Sequence, residues 1–240
     1  MTYKRDLEKG IELLRSAGIT ECNRDAELLL MHVTGKDKTF LLTYGDSEEM
    51  TPEDEGEYLA FIGKRAERIP LQLLTKETDF MGLTFMVSEN VLIPRQDTEI
   101  LVEEVLKNLH DGMRILDMCT GSGCILISLL HYSNGCSGTG VDISEKALET
   151  ARRNAADLLE QDICFLQSDL FERISGKFEI IVSNPPYIEK KVIPDLMPEV
   201  RDHEPLIALD GGEDGLDFYR RIIEKSPAYL CGGGMLFFEI

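Results

Sequence analysis

Apolar residues recur at helical spacing from Leu7 to about Leu74. Leu7, Ile11 and Leu14 share one face, Ala26, Leu29, Leu30 and Val33 a second, and Tyr58, Ile62 and Ala66 a third. Gly18, Gly35 and Thr51-Pro52 punctuate these runs as helix ends or starts. The pattern predicts a small helical domain over residues 1–75. The period then changes. Phe80, Leu83, Phe85, Val87, Val91, Leu92 and Ile93, broken by Gly82 and by Ser88-Glu89-Asn90, predict a short hairpin linker over residues 76–94. From 95 to 240 helical and extended patterns alternate. A helix carrying Ile100, Leu101, Val105 and Leu109 opens at Pro94–Glu99, with Asp97 or Thr98 as its expected N-cap and Glu99 suited to the positive end of the helix.

Extended runs at Met113–Met118, Gly138–Asp142, Ile163–Leu166, Phe178–Ser183 and Met235–Ile240, separated by helical stretches, predict an α/β fold. Its sheet is open, mostly parallel and wound on both faces, so ligands are expected at the C-terminal strand ends. Glu199–Gly215 reads as one long polar loop, longer than a usual connection and therefore functional. Leu216, Tyr219, Ile222 and Ile223 begin the helix after it.

The candidate chemistry falls at those strand ends. Asn184-Pro185-Pro186-Tyr187 must stop the apolar strand before it, because proline has no ladder donor and restricts its predecessor. The resulting stiff loop carries one carboxamide, carbonyls of limited direction and one aromatic face, a set suited to gripping a flat NH2 group. Asp117 leads directly into Cys119-Thr120-Gly121-Ser122-Gly123 and a helix, the strand, glycine turn and helix of a nucleotide-binding unit. The dinucleotide pattern G-x-G-x-x-G is not satisfied. Asp142, at the end of the second strand and followed by Ile143, is placed to accept ribose hydroxyls. Asp169 could take an adenine amino group while Leu170 or Phe171 packs on the ring, although taken singly Asp169 reads as a solvated turn acid. Ordered along one sheet edge, these residues predict an adenosine cofactor lying across the sheet.

Composition narrows the partners. The net charge of −19 opposes binding to bare nucleic acid, which relies on Lys and Arg displacing counterions. The helical domain is itself acidic, with 10 basic against 15 acidic residues over positions 1–75. Six cysteines without a C-x-x-C pair and four scattered histidines suggest neither a disulfide framework nor a metal site. No apolar run approaches membrane-spanning length. A reduced cytoplasmic protein, without stable nucleic-acid or membrane binding, is expected.

Thr120-Gly121-Ser122-Gly123 with Asp142 resembles the class I S-adenosylmethionine methyltransferases, and Asn184–Tyr187 resembles the signature of those acting on planar amide or amino nitrogens. Leu92–Glu99, Ser183–Ile188 and Glu204–Leu216 are similar to the HemK/PrmC family, and the likeness covers nearly the whole chain. It implies a Rossmann-like methyltransferase domain over residues 95–240 and S-adenosylmethionine as cofactor, with S-adenosylhomocysteine as product. The substrate implied is a class 1 peptide-chain release factor, methylated on the glutamine of its Gly-Gly-Gln tip and contacted by the helical domain. A monomer is expected. The resemblance assigns Asn184, Pro185 and Tyr187 to catalysis and Pro186 with them to substrate binding. To the cofactor it assigns Asp117, Cys119 through Gly123, Asp142, Ile143, Asp169, Leu170 and Asn184.

Three positions depart from the family's usual pattern: Cys119 stands for glycine, Gln96-Asp97 for Pro-Glu, and Leu170 for a tryptophan found in some members. The family also continues past the fifth strand into an antiparallel pair, so the sheet is expected to end before its last strands. An adenine N6-methyltransferase would grip its flipped base with the same loop, but the acidity and the lack of a target-recognition domain weigh against it.

Overall fold

The computed structural model describes residues 2–240. The chain divides into two compact units, one ending at Lys76 and one spanning Glu77–Ile240. The first holds helices α1 (Tyr3–Ser16), α2 (Cys22–Thr34), α3 (Lys38–Tyr44), α4 (Pro52–Ala66) and α5 (Leu71–Thr75). Leu14, Ala26, Leu29, Leu30, Tyr58 and Ile62, drawn from the three predicted faces, form its buried core. Gly35 ends α2 with φ +64°, a left-handed cap that glycine reaches without Cβ strain. Thr51 starts α4: its Oγ1 accepts from the Asp54 N–H at 3.1 Å, and Pro52 follows in the first turn, where an unpaired amide is not needed.

The second unit opens with the antiparallel pair β1 (Glu77–Phe80) and β2 (Leu83–Met86). Then come α6 (Asp97–Leu106), β3 (Arg114–Met118), α7 (Cys124–His131), β4 (Ser137–Asp142), α8 (Glu145–Leu158), β5 (Cys164–Gln167) and β6 (Phe178–Ser183). Two short helices, α9 (Pro198–Arg201) and α10 (Leu206–Leu209), precede α11 (Asp217–Lys225) and β7 (Leu230–Phe238). The five-stranded sheet has the order β5-β4-β3-β6-β7, with every neighbouring pair parallel. The chain therefore winds outward from β3 in one direction, then returns to the other side at β6. The switch point lies between β3 and β6, where the connections diverge and leave a crevice at the carboxyl ends.

Alternation along each strand builds two cores. Ile115, Ile180 and Val182 face α6 and α7 with Val102, Leu126 and Leu129, while Leu116, Met118, Val141 and Ile181 face Phe171 and Ile222 on the opposite side. The fold differs from the sequence expectation in three places. Helix α6 begins at Asp97 itself, with Gln96 in helical conformation before it and no side-chain cap, because Thr98 turns inward and is 2% exposed. The expected polar loop over 199–215 contains α9 and α10 and buries Glu199 and Glu204. Strand β7 begins at Leu230, before the predicted Met235, because a glycine run with Gly233 at φ +82° forms an irregularity in the ladder and hides the strand from a hydrophobic count.

Candidate active site

A cavity of about 210 Å³ lies at the carboxyl ends of the strands, lined by residues that follow β3, β4, β5 and β6. Its floor starts from β3. Asp117, on β3, is fully buried outside the cavity lining, where Thr120 Oγ1 donates to its Oδ2 at 2.5 Å and Oδ1 has no partner. Burial raises its carboxyl to about 7, opposed by the Thr120 hydrogen bond. Cys119 follows with φ +58°, a left-handed conformation that costs a side chain free energy and glycine almost none. The thiol lies at the cavity wall, and burial pushes its titration well above the ordinary range.

Gly121, at φ +55°, turns its N–H onto Asp142 Oδ2 at 2.9 Å, and Ser144 N–H meets Oδ1 of the same carboxylate at 2.9 Å. Asp142 thus clamps two loops together. Its carboxyl is raised by burial and held down in part by these amides. Each oxygen keeps acceptor capacity, since a carboxylate offers about four lone-pair sites. Ser122 lines the cavity with a buried Oγ that has no partner. Gly123, at φ +81°, lies beneath the wall, where an added Cβ would come within 2.9 Å of Ile127 Cδ1. Asn154 on α8 secures the loop from behind: its Nδ2 donates to Ser122 O at 2.9 Å and Met86 O at 3.0 Å, and its Oδ1 accepts from Met86 N–H at 2.8 Å.

Past β4 and β5, Ile143, Ser168, Asp169 and Leu170 continue the wall. Ile143 is 49% exposed and Leu170 is buried, with φ +50°. Asp169 does not stand alone as a solvated acid. Arg221, from α11, donates to its Oδ1 at 2.7 Å while lying over the Phe218 ring, and both residues line the cavity.

The far end is built by β6. Ser183 Oγ donates to Met118 O at 2.7 Å, tying the tip of β6 to β3. Asn184 follows at the cavity wall, half-buried, with its Nδ2 donating to Thr98 Oγ1 at 3.3 Å. Pro186 lines the wall, Pro185 is buried behind it, and Tyr187 is 44% exposed outside the lining. The turn is braced by the segment after α10: Ile188 N–H donates to Leu209 O at 3.0 Å, and Gly211 N–H to Ile188 O at 2.9 Å. A Cβ on Gly211 would sit 2.7 Å from Tyr187 Cα and 2.8 Å from Pro186 O, so only glycine fits. Arg95, which lines the cavity, pairs with buried Glu204 at 2.5 Å.

The structure therefore brings Cys119, Thr120, Gly121, Ser122, Asp142, Ile143, Asp169, Leu170, Asn184 and Pro186 to one cavity and sets Asp117, Gly123, Pro185 and Tyr187 outside its lining. Sequence reasoning missed Arg221, Phe218, Asn154 and Glu239, and offered Thr98 only as one of two candidate helix caps. Helical faces alone do not reveal the first three. Glu239, an acid inside the apolar run Met235–Ile240, was a readable signal. Among the described residues no cluster of His, Cys, Asp and Glu suits a metal ion, and no helix is long and apolar enough to cross a membrane.

Comparison with known proteins is consistent along the chain. The family model described as the PrmC N-terminal domain matches residues 7–75, and that described as the methyltransferase small domain matches residues 94–199. A methyltransferase structure from Pyrococcus furiosus aligns with TM-score 0.50 and 20% identity over 73% of this chain and 78% of that one, a likeness of fold. The release factor glutamine methyltransferase of Clostridium acetobutylicum is 41% identical over all of this chain and 86% of its own length. That of Geobacter sulfurreducens is 39% identical over all of this chain and 84% of its own. With relatives so named matching all of it, and its two units matched by a PrmC N-terminal and a methyltransferase model, the chain belongs to the PrmC family of S-adenosylmethionine-dependent release factor glutamine methyltransferases.

Proposed function

We propose that the chain transfers a methyl group from S-adenosylmethionine to the side-chain amide nitrogen of the glutamine in the Gly-Gly-Gln tip of class 1 release factors. The observation that carries the reading is the Asn184 carboxamide, fixed through its NH2 on Thr98 at the wall of a cavity whose other end is the Cys119–Ser122 loop and Asp142. The donor set fits the cofactor. Asp142 retains acceptor sites for two hydroxyls, and Leu170 offers an apolar surface beside Asp169. When bound, the cofactor supplies an electrophilic sulfonium methyl.

The chain's own residues have to make a poor nucleophile react. A carboxamide lone pair is delocalised, so the rate comes from orientation and exclusion of water. Asn184 Oδ1 and the Pro185 carbonyl each accept one N–H of the substrate amide, which fixes its plane and leaves the nitrogen facing the cavity. Tyr187 packs on that plane from outside the lining, so its exposed ring becomes covered only when substrate arrives. No strong base is required beforehand, because the amide proton becomes acidic as the nitrogen gains positive charge. The helical unit supplies release-factor recognition. The protein acts as a cytoplasmic monomer, its six cysteines free as a reducing compartment would keep them, and its charge of −19 disfavours nucleic-acid substrates.

Labelled cofactor offered with release factor, with a Gln→Ala version of its tip, and with DNA or RNA tests the reading. Label is expected on the intact factor alone, and Asn184→Asp, which places charge beside the cofactor, should reduce transfer on the order of 100-fold. Label on nucleic acid, or equal label on the Gln→Ala factor, would overturn it.

A further inference from the structure

The orientation of Asn184 decides whether its oxygen or its NH2 meets a substrate, and a bare carboxamide at a strand end could present either. Strand register supplies the constraint. Ser183 pairs with Phe238 across β6 and β7, and Glu239 N–H donates to Ser183 O at 3.2 Å, so Glu239 and Asn184 are side by side at the carboxyl ends of adjacent parallel strands. Tyr219, on α11, donates its hydroxyl to Glu239 O at 2.7 Å and fixes that backbone position. Burial raises the half-buried Glu239 carboxyl, the neighbouring Thr98 hydroxyl and Asn184 side chain hold it down in part, and its Oε2 is buried without a partner. Thr98 is itself 2% exposed and lines the cavity wall.

The hydrogen-bond inventory then closes in one sense only. A carboxylate accepts and cannot donate, so beside Glu239 the Thr98 hydroxyl has an acceptor to turn its proton toward, and it offers Asn184 a lone pair, as the 3.3 Å contact from Asn184 Nδ2 to Thr98 Oγ1 requires. Both neighbours of Asn184 on this side are acceptors, and an acceptor pair can be met only by NH2. We infer that Thr98 and Glu239 are positioning residues that lock the Asn184 carboxamide with its NH2 turned inward and Oδ1 turned to the cavity. Glu239 touches neither cofactor nor substrate; its action passes through Asn184. The inference rests on the amide-methyltransfer reading for its consequence in rate, but its structural content stands apart from substrate identity.

Two measurements separate the two. The first is kinetic, with release factor as substrate. Thr98→Val keeps the shape and removes the hydroxyl, and kcat should fall about tenfold, the worth of one orienting hydrogen bond, with the cofactor dissociation constant within about twofold of the parent. Thr98→Ser, which restores the hydroxyl, should recover kcat to within about twofold, and Glu239→Gln should fall less than Glu239→Leu because its carbonyl can still accept. Equal losses for Thr98→Val and Thr98→Ser, or a full-speed Glu239→Leu, would refute the positioning role.

The second needs no turnover. In protein labelled with 15N at asparagine, the Asn184 side-chain NH2 pair, identified by its loss in Asn184→Asp, should exchange with solvent more than about tenfold slower than the pair of the exposed Asn134. Thr98→Val should abolish that protection. An Asn184 pair exchanging as fast as that of Asn134 in the parent protein would overturn the inference even if methyl transfer is confirmed. Protection without transfer to release factor would instead leave the lock standing and count against the proposed substrate.

Discussion

Asp117 shows how one side chain can be read correctly for place and incorrectly for state. An acid before a glycine loop was legible, but not that the loop would close over it completely and leave one oxygen without a partner. Its carboxyl is raised from 3.8 to about 7, so the folded protein prefers it protonated. A carboxyl raised in the fold contributes stability that is fully present below its unfolded value and is lost as pH rises through its folded one. From about pH 4 to about pH 7, therefore, the parent should lose on the order of 4 kcal/mol relative to Asp117→Asn, whose neutral amide has no proton to give up. Urea denaturation of the cofactor-free proteins across that range measures the difference. A gap that does not change with pH would mean that Asp117 is ionised in the fold. Cys119 illustrates the converse. Only the backbone, at φ +58°, explains why glycine suits that position, and no count of apolar residues carries that information.

At the scale of elements, the alternating strands and helices were written plainly in β-branched runs and glycine turns, because those determine backbone period directly. What the pattern could not carry was the bracing between elements. The Asn184–Tyr187 turn is rigid not through its prolines alone but because the Asp210-Gly211-Gly212 segment lies directly against it, through the Ile188 and Gly211 amides. Gly211→Ala places a methyl 2.7 Å from Tyr187 Cα, so the turn must move. A displacement of about 1 Å at reacting groups costs on the order of 100-fold in rate, and methyl transfer to release factor should fall that far while cofactor binding, at the other end of the cavity, stays within about threefold. Gly56→Ala, on α4 with open space around it, is the matched control and should stabilise by up to about 1 kcal/mol. If Gly211→Ala transferred methyl groups at the parental rate, the brace would have no part in setting the turn.

At the scale of the molecule, composition fixes a property that neither the sheet nor the site reveals. With 44 acidic against 25 basic residues the native state carries a large like-charge excess, and compaction brings those charges closer than the unfolded chain does. Several basic groups are already engaged, Arg114 with Glu179 at 2.9 Å and Arg220 with Asp214 at 2.5 Å among them, so they neutralise neighbours and leave little free positive field. Exposed pairs of this kind are individually worth at most about 1 kcal/mol and weaken with salt, whereas the net repulsion, summed over the surface, weakens with salt too. The two effects have opposite signs, and the excess of 19 negative charges decides between them. Raising sodium chloride from about 20 mM to about 300 mM shortens the screening length from roughly 20 Å to roughly 6 Å. The cofactor-free protein should therefore melt several degrees higher at about 300 mM than at about 20 mM salt, at constant pH near 7.5. Potassium chloride should match sodium chloride, since screening depends on ionic strength and not on the cation. A melting temperature that falls with salt would show that the surface ion pairs outweigh the net charge, and the acidity could then no longer be read as a molecule-wide repulsive field.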